Sequence, residues 1–440
     1  MSTNSIFAAR RAALLKLLPK GAVAVMGGKH PTHRNSDVEN RFRQDGDVLW
    51  LTGFAEPEAL VVLRAGSNKP FTLFVRPRDP EKETWNGRRA GIAGAVRDHG
   101  ADQAFSVADI AAQLPLLLDG ATEVAYVLAE DAERRVDKLV LDALGWLHQN
   151  KRGGRVAPQR LTDLRATLHE LRLHKDAAAL DTLRRAAAVT ADAHRAAMRA
   201  AHRGVHEYDV EAIIEHTFRR ANGHPGYGTI VGGGANATIL HYVENSRPLK
   251  HGELLLVDAG CELDGFTADV TRTFPIGGKF SAAQRQVYAL VLRAEKRCIA
   301  AVRPGATIDG IHQLAVKILT EGMVALGLLR GDPKKLIAAE AYRRFYMHRT
   351  SHWLGLDVHD VGAYTVNRKS RPLAPGMVLT IEPGLYIAAD CRDVPKEFRG
   401  IGVRIEDDVL VTRTGHEVLT AAIPKEVADV EREVAAGLQT

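Results

Sequence analysis

The sequence predicts an α/β (α+β) protein built in two parts, and two observations carry that prediction. Short apolar strand-like runs alternate with helical runs from residue 1 to about 170, the pattern of strands covered by helices. From about 174 a long alanine-rich run, "HKDAAALDTLRRAAAVTADAHRAAMRAAHRG", is made of good helix formers and stops at Gly204. It opens a second region, in which helical segments (208–222, 281–302, 307–327) alternate with strand-and-turn segments holding most of the reactive side chains. A length of 440 residues is enough for two or three full cores. We place the boundary at 172, giving domains 1–172 and 173–440.

The elements of the first part follow in order. "SIFAARRAALLKLLPKGAVAVMGG" runs directly from an arginine-bearing amphipathic stretch into an apolar strand. With no small-residue cleavage site between them, it reads as the first helix and strand rather than a transit segment. "ALVVLRAG", "FTLFVRP" and "EVAYVLAE" read as strands, "GIAGAVRDHG" and "DKLVLDALGWLHQ" as helices. The glycine-rich "NKRGGRVAPQ" (150–159) reads as a loop near the boundary.

Bulk properties exclude several classes. A 45% apolar and 25% charged composition is that of a soluble globular protein. Cys261, Cys298 and Cys391 are far apart with no CxxC pair, which argues against a disulfide framework or cysteine zinc site and for a reducing, cytoplasmic setting. No apolar run reaches the roughly 18 residues of a membrane span. The net charge of +6 comes from basic pairs scattered along the chain without interleaved aromatics, so no nucleic-acid surface is expected.

The chemistry begins in "GELLLVDAGCELDGFTADVTRTFPIGG". A buried-looking strand ends at Asp258, and Asp264-Gly265 is a two-residue hairpin signal because both positions tolerate positive φ. A turn centred there sets Leu263 opposite Phe266 and Gly260 opposite Asp269. Asp258 and Asp269 then become diagonal neighbours about 7 Å apart on one face. Two converging carboxylates repel unless a proton or cation lies between them. Taken alone, both also fit turn or surface positions.

Two further strands add acids. "MVLTIEPGLY" reads as a strand that stops at Glu382, because Pro383-Gly384 breaks it. "GVRIEDDVLV" reads as a strand whose alternation sets Arg404 and Glu406 on one face; a buried ion pair without metal is the other reading of that face. In "HRTSHWLGLDVHDVG" the histidines His348, His352 and His359 lack the His-Glu-x-x-His spacing, since position 349 is arginine. Alternation of Leu354, Leu356 and Val358 suits an extended segment. Each histidine taken singly also fits a hydrogen-bonded core position. Four carboxylates with one histidine suit Mn²⁺, Co²⁺ or Fe²⁺ better than structural zinc. Two such ions about 3.5–4 Å apart could hold a hydroxide and polarise a carbonyl.

These motifs, in this order, resemble the pita-bread metallopeptidases, which include methionine aminopeptidase, prolidase and aminopeptidase P. "FRQDGDVLWLTGFAEPEALVVL" and "TWNGRRAG" resemble the creatinase-like N-terminal domain of aminopeptidase P, so the resemblance covers nearly the whole chain. It implies an N-terminal α/β domain followed by a pita-bread catalytic domain. Carried over position by position, it puts two divalent metal ions, manganese first and Co, Fe or Zn as alternatives, on Asp258, Asp269, His352, Glu382 and Glu406. Asp269 and Glu406 would be shared, Asp258 would serve one ion, and His352 with Glu382 the other. His241, His348 and His359 fall on the family's pocket histidines, Arg404 on an arginine behind the ligands, and Tyr386 follows Glu382 as in relatives. Arg349 departs from the usual glycine.

The implied activity is release of the N-terminal residue from peptides with proline second. A hydroxide between the ions would attack the scissile carbonyl, and Glu382 would pass its proton to the leaving imino nitrogen. Prolidase, a metal-free creatinase-like hydrolase and a non-catalytic binding module are the competing readings; the intact ligand set disfavours the last two. The resemblance also implies a homo-oligomer, dimer or tetramer, with Trp85 a candidate subunit contact. Asp357 and Asp360 receive no role.

Overall fold

The computed structural model describes residues 3–129, 133–202 and 204–438. Two positions of the runs quoted above, Glu130 and Arg203, lie outside the described residues. The chain divides into two compact units, Met1–Arg172 and Leu173–Thr440.

In the first unit six strands form one mixed sheet. Its order is Gln103–Ser106, Phe71–Val75, Leu60–Arg64, Val23–Gly27, Val124–Tyr126 and Leu161–Asp163. The central three pair antiparallel, while the outer pairings are parallel. Parallel neighbours need crossovers, and the helices Gly91–Arg97 and Arg135–Gln149 supply them. Val25, Val62, Phe74, Val140 and Leu147 are fully buried between sheet and helices. The acidic pair of "FRQDGD" has a local structural use. Asp45 caps the helix Gly46–Thr52 by accepting from the Asp47 and Val48 amides. Asp47 receives Arg172 at 2.6 Å and faces His169 at 3.1 Å. Burial alone would raise the Asp47 carboxyl, but the bonds and charges of His169 and Arg172 outweigh it and hold it below the usual range. The 150–159 loop carries a short 3₁₀ turn, Lys151–Gly153. It leads into the edge strand Leu161–Asp163, so it lies inside this unit and does not border the next.

The second unit is framed by four helices, Ala177–Ala200, Glu207–Arg220, Ala282–Ala301 and Ile308–Ala325. Three of these starts are fixed by side-chain caps, and at the fourth Asp209 accepts from the His206 amide at 2.8 Å. Asp176 accepts from the Ala179 amide, Ser281 and Gln284 form a reciprocal capping box, and Thr307 accepts from Gly310.

Inside the helices lies a long antiparallel ribbon. Leu254 pairs with Pro275 and Asp258 with Thr271. Ala259 donates to Val270, and Leu263 pairs with Phe266 across the turn. The register is therefore the same from turn to base, as the Asp264-Gly265 signal predicts, although the ladder itself is interrupted at 259–260 and 268–270. Asp264 and Gly265 both have positive φ, 49° and 86°, the requirement of this two-residue turn. Midway, a Cβ on Gly260 would lie 1.7 Å from the Ala268 carbonyl oxygen. Only glycine allows the two chains to cross that closely.

A second ribbon pairs Val378–Ile381 with Asp407–Val411. Two sequence expectations need correction here. "MVLTIEPGLY" stops at Ile381, one residue short of the predicted Glu382, and Gly384 opens a new strand, Gly384–Ile387, paired with Ile401–Arg404. "GVRIEDDVLV" is therefore two strands broken at Ile405 and Glu406, where the Glu406 amide leaves the ladder and donates to the Thr271 carbonyl at 3.0 Å. The 351–359 segment is extended only at its start. His352 and Leu354 exchange backbone bonds with Thr380 and Val378, and the chain then turns at Gly355, where a Cβ would strike the Asp360 carboxylate.

Candidate metal centre

Both ribbons end at one cavity of about 870 Å³, and all of Asp258, Asp269, His352, Glu382 and Glu406 line it. His241, His348, His359 and Arg404 line it too. Nine side chains separated by up to 165 positions in the chain (406 − 241) thus share one space.

The first ribbon delivers Asp258 from the end of the Leu254–Asp258 strand and Asp269 from the returning chain. Both are nearly buried. The Asp269 amide donates to Asp408 at 3.1 Å, which fixes where its carboxylate starts. Asp258 is held by two donors, the Tyr227 hydroxyl at 2.7 Å and Arg404 Nη2 at 2.6 Å. Arg404 commits its other nitrogens to Tyr386 Oη at 3.0 Å and Thr271 Oγ1 at 2.8 Å. The Thr271 hydroxyl in turn donates to Glu406 at 2.6 Å. Arg404 is therefore a strut between the two ribbons.

Ligand atoms of Asp269, His352 and Glu406 all lie within 4.8 Å of one another. His352 Nε2 is 3.2 Å from Asp269 and 3.7 Å from Glu382. Its Nδ1 lies 3.0 Å from the Trp353 carbonyl oxygen, which can only accept, so Nδ1 carries a proton. Nε2 then faces two carboxylates and needs a proton or a cation on it. Burial would lower the His352 pKa, but Asp269 and Glu382 outweigh burial and raise it to about 9. Burial, then the charges of Asp269, Glu382 and Asp258, push Glu406 well above the carboxylate range. Burial pushes Glu382 up to about 7, with Asp269 adding to it against His352. Such crowding of buried acids is relieved by positive charge held among them. The donor set fits divalent metal ions, and oxygen dominates it.

The pocket histidines differ from one another. His348 Nδ1 donates to the Arg349 carbonyl at 2.7 Å, and its Nε2 accepts from the Tyr386 hydroxyl at 2.8 Å. Burial, then the nearby Arg404 charge, lowers its pKa to about 3. The ring is neutral and fixed. His359 packs edge-on against His352, ring centres 4.3 Å apart. His241 is exposed on a loop tied down by buried Glu207, which accepts from Gly233, Asn236, Tyr242 and Arg247.

Sequence reasoning missed Tyr227 and Thr271, which hold two of the acids in place. Tyr227 sits in "GHPGYGTI", where a glycine-rich loop gives no signal of what its aromatic faces. Asp360, left without a role, forms a buried ion pair with Lys175 at 2.9 Å.

Residues 181–413 match Metallopeptidase family M24, and residues 7–126 match the Aminopeptidase P, N-terminal domain. The chain is 44% identical to the Xaa-Pro aminopeptidase of Escherichia coli (strain K12), over 97% of this chain and 96% of that protein. The solved Pseudomonas aeruginosa aminopeptidase PepP superposes with a TM-score of 0.97 at 46% identity, covering 99% of both chains. A variant of Escherichia coli aminopeptidase P solved in complex with substrate gives 0.95 at 43%, again over 99% of both chains. The chain belongs to metallopeptidase family M24, in its Xaa-Pro aminopeptidase branch, with the pita-bread catalytic domain behind an aminopeptidase P N-terminal domain.

Proposed function

We propose that the protein is a metal-dependent aminopeptidase that removes the N-terminal residue from peptides carrying proline at the second position. The observation that carries this reading is the convergence of Asp258, Asp269, His352, Glu382 and Glu406 on one cavity in a chain matched end to end by Xaa-Pro aminopeptidases. Those residues would hold two divalent cations, and four carboxylates with one imidazole favour manganese. Bound there, the ions supply an activated water at neutral pH and polarise the scissile carbonyl.

The chain's own residues do the rest. Asp258, oriented by Tyr227 and Arg404, attracts the substrate's free amine, which explains a requirement for an N-terminus. Glu382, which lines the cavity 3.5 Å from His348 Nδ1, takes a proton and delivers it to the imino nitrogen of proline as that nitrogen leaves. His241 and His359, which line the cavity, would give partners to the developing oxyanion and the proline ring. His348 has both ring nitrogens engaged and serves as a fixed wall that aligns Tyr386. Arg404, held by three partners, positions Asp258 and does not touch the reacting atoms.

We assign the protein to the cytoplasm, on three free cysteines among the described residues and no described helix long and apolar enough to cross a membrane. We also assign it a homo-oligomeric state, with the exposed Trp85 as a subunit contact. The deciding experiment is hydrolysis of Xaa-Pro-Yaa tripeptides beside Xaa-Pro dipeptides, with and without chelator and added Mn²⁺. Tripeptide cleavage that chelation stops and Mn²⁺ restores is expected. Cleavage of dipeptides alone would make the protein a prolidase.

A further inference from the structure

Two arginines line the cavity, Arg349 and Arg404. Arg404 is buried and fully engaged, as described. Arg349 is different: its side chain is 58% exposed and pairs with Asp309, itself 47% exposed. Asp309 lies in the first turn of the helix Ile308–Ala325, and Ser370 of the neighbouring hairpin also bonds to it. The pair therefore sits on the rim, where the histidine segment, a helix start and a hairpin meet. Exposed ion pairs are weak, and a guanidinium offers five donors in a planar fork. Asp309 alone does not saturate it, and a second carboxylate can share it in bidentate geometry.

The groups that line the cavity with Arg349 suggest which part of a peptide would reach it. On the reading proposed above, on which this inference rests, the free amine lies at Asp258 and the leaving nitrogen at Glu382. His348 Nδ1 is 3.5 Å from Glu382, and Arg349 follows it directly in the chain. Arg349 lines the same cavity and is exposed at its rim, so a departing chain that leaves Glu382 past His348 would meet it. We propose that Arg349 is a specificity-determining residue that binds a carboxylate on the departing part of the substrate, downstream of the proline. That carboxylate comes either from an acidic side chain at the third position or from the C-terminus of a tripeptide.

Two peptide pairs distinguish the sources. The first is Ala-Pro-Glu-Ala-amide against Ala-Pro-Lys-Ala-amide; the second is Ala-Pro-Ala as free acid against its amide. For the parent, kcat/KM should favour the anionic member of at least one pair by about fivefold, as an exposed charge pair allows, and mostly through KM. Raising the salt concentration should shrink the ratio. Arg349→Gln should bring it to about one, and Arg349→Lys should retain part of it, because the charge remains while the fork is lost. Thermal melts of both variants should match the parent, as suits an exposed residue. No preference for either anion, a preference for lysine, or a ratio that survives in Arg349→Gln overturns the proposal. If the parent cleaves every peptide at one rate, only the role of Arg349 falls. If it cleaves none, the peptidase reading itself falls.

Discussion

The two ribbons that meet at the metal centre reach the same result by different routes. The first (Leu254–Asp258 and Thr271–Pro275) keeps a single register from Pro275 to Phe266, although its ladder is interrupted at 259–260 and 268–270. The second (Val378–Ile381 and Asp407–Val411) is interrupted: another strand pair, Gly384–Ile387 with Ile401–Arg404, intervenes, and Glu382 and Glu406 sit at the breaks. In one ribbon a constant register sets where the acids fall, Asp258 at a strand end and Asp269 between strands; in the other both acids sit where the strands stop and another strand pair intervenes. The second ribbon therefore depends on bonds to the first, above all Thr271 to Glu406 and Arg404 to Thr271 and Asp258.

The largest expected effects fall on the shared acids. Glu406→Gln should lower kcat/KM by about a thousandfold or more, since a carboxylate central to metal catalysis is worth several kcal/mol. In chelator near neutral pH the same variant should melt higher than the parent, because burial and the neighbouring acids hold Glu406 protonated in the folded state but not in the unfolded one, a cost that glutamine does not carry while it still leaves Thr271 an acceptor. Added metal should stabilise the parent far more than the variant. A metal-free variant less stable than the parent would mean that the acids are not in conflict. Gly260→Ala tests the first ribbon. With a Cβ 1.7 Å from a backbone oxygen, it should cost about 3 kcal/mol or more and displace Asp269; an unchanged melting temperature would show that the crossing is loose.

How much of this was legible in the sequence follows from the same contrast. The first ribbon could be counted outward from Asp264-Gly265 because a two-residue turn fixes register, and the pairing of Leu263 with Phe266 agrees. The second ribbon has no such anchor. Its chains are joined through an intervening strand pair, so the breaks at Glu382 and Ile405 depend on which neighbours accept the freed amides. Arg404 and Glu406 do face one cavity, but through the strand break between them and not through the alternation of one strand. Tyr227 and Thr271 were out of reach, since their partners lie 31 and 135 positions away and nothing local marks them. The four framing helices were legible because helix-forming composition and the stop at a glycine such as Gly204 are local signals.

Arg404 joins the two ribbons, and replacing it separates positioning from chemistry. Arg404→Lys keeps the charge beside Asp258 but cannot also reach Tyr386 and Thr271 in a planar fork. Loss of about ten- to a hundredfold in activity is expected, the range for groups that orient metal ligands. The loss should be accompanied by weaker metal binding in a titration followed by thermal shift. Equal metal affinity in the variant would place Arg404 on the substrate and not behind the ligands.

The smallest effect should come from the turn that made the first ribbon readable. Gly265 has φ of 86°, and an alanine there pays the left-handed penalty of about 1–2 kcal/mol. The turn lies at the far end of the ribbon from Asp258, and the ladder from Asp258 to Leu254 is bonded on both sides, to Thr271–Pro275 and to Ile230–Gly233. Gly265→Ala should therefore lower the melting temperature by a few degrees and leave kcat/KM within about twofold. A large fall in activity with a small fall in stability would mean that the turn holds the register of Asp269 by itself. The first ribbon would then be as dependent on one feature as the second is on Thr271.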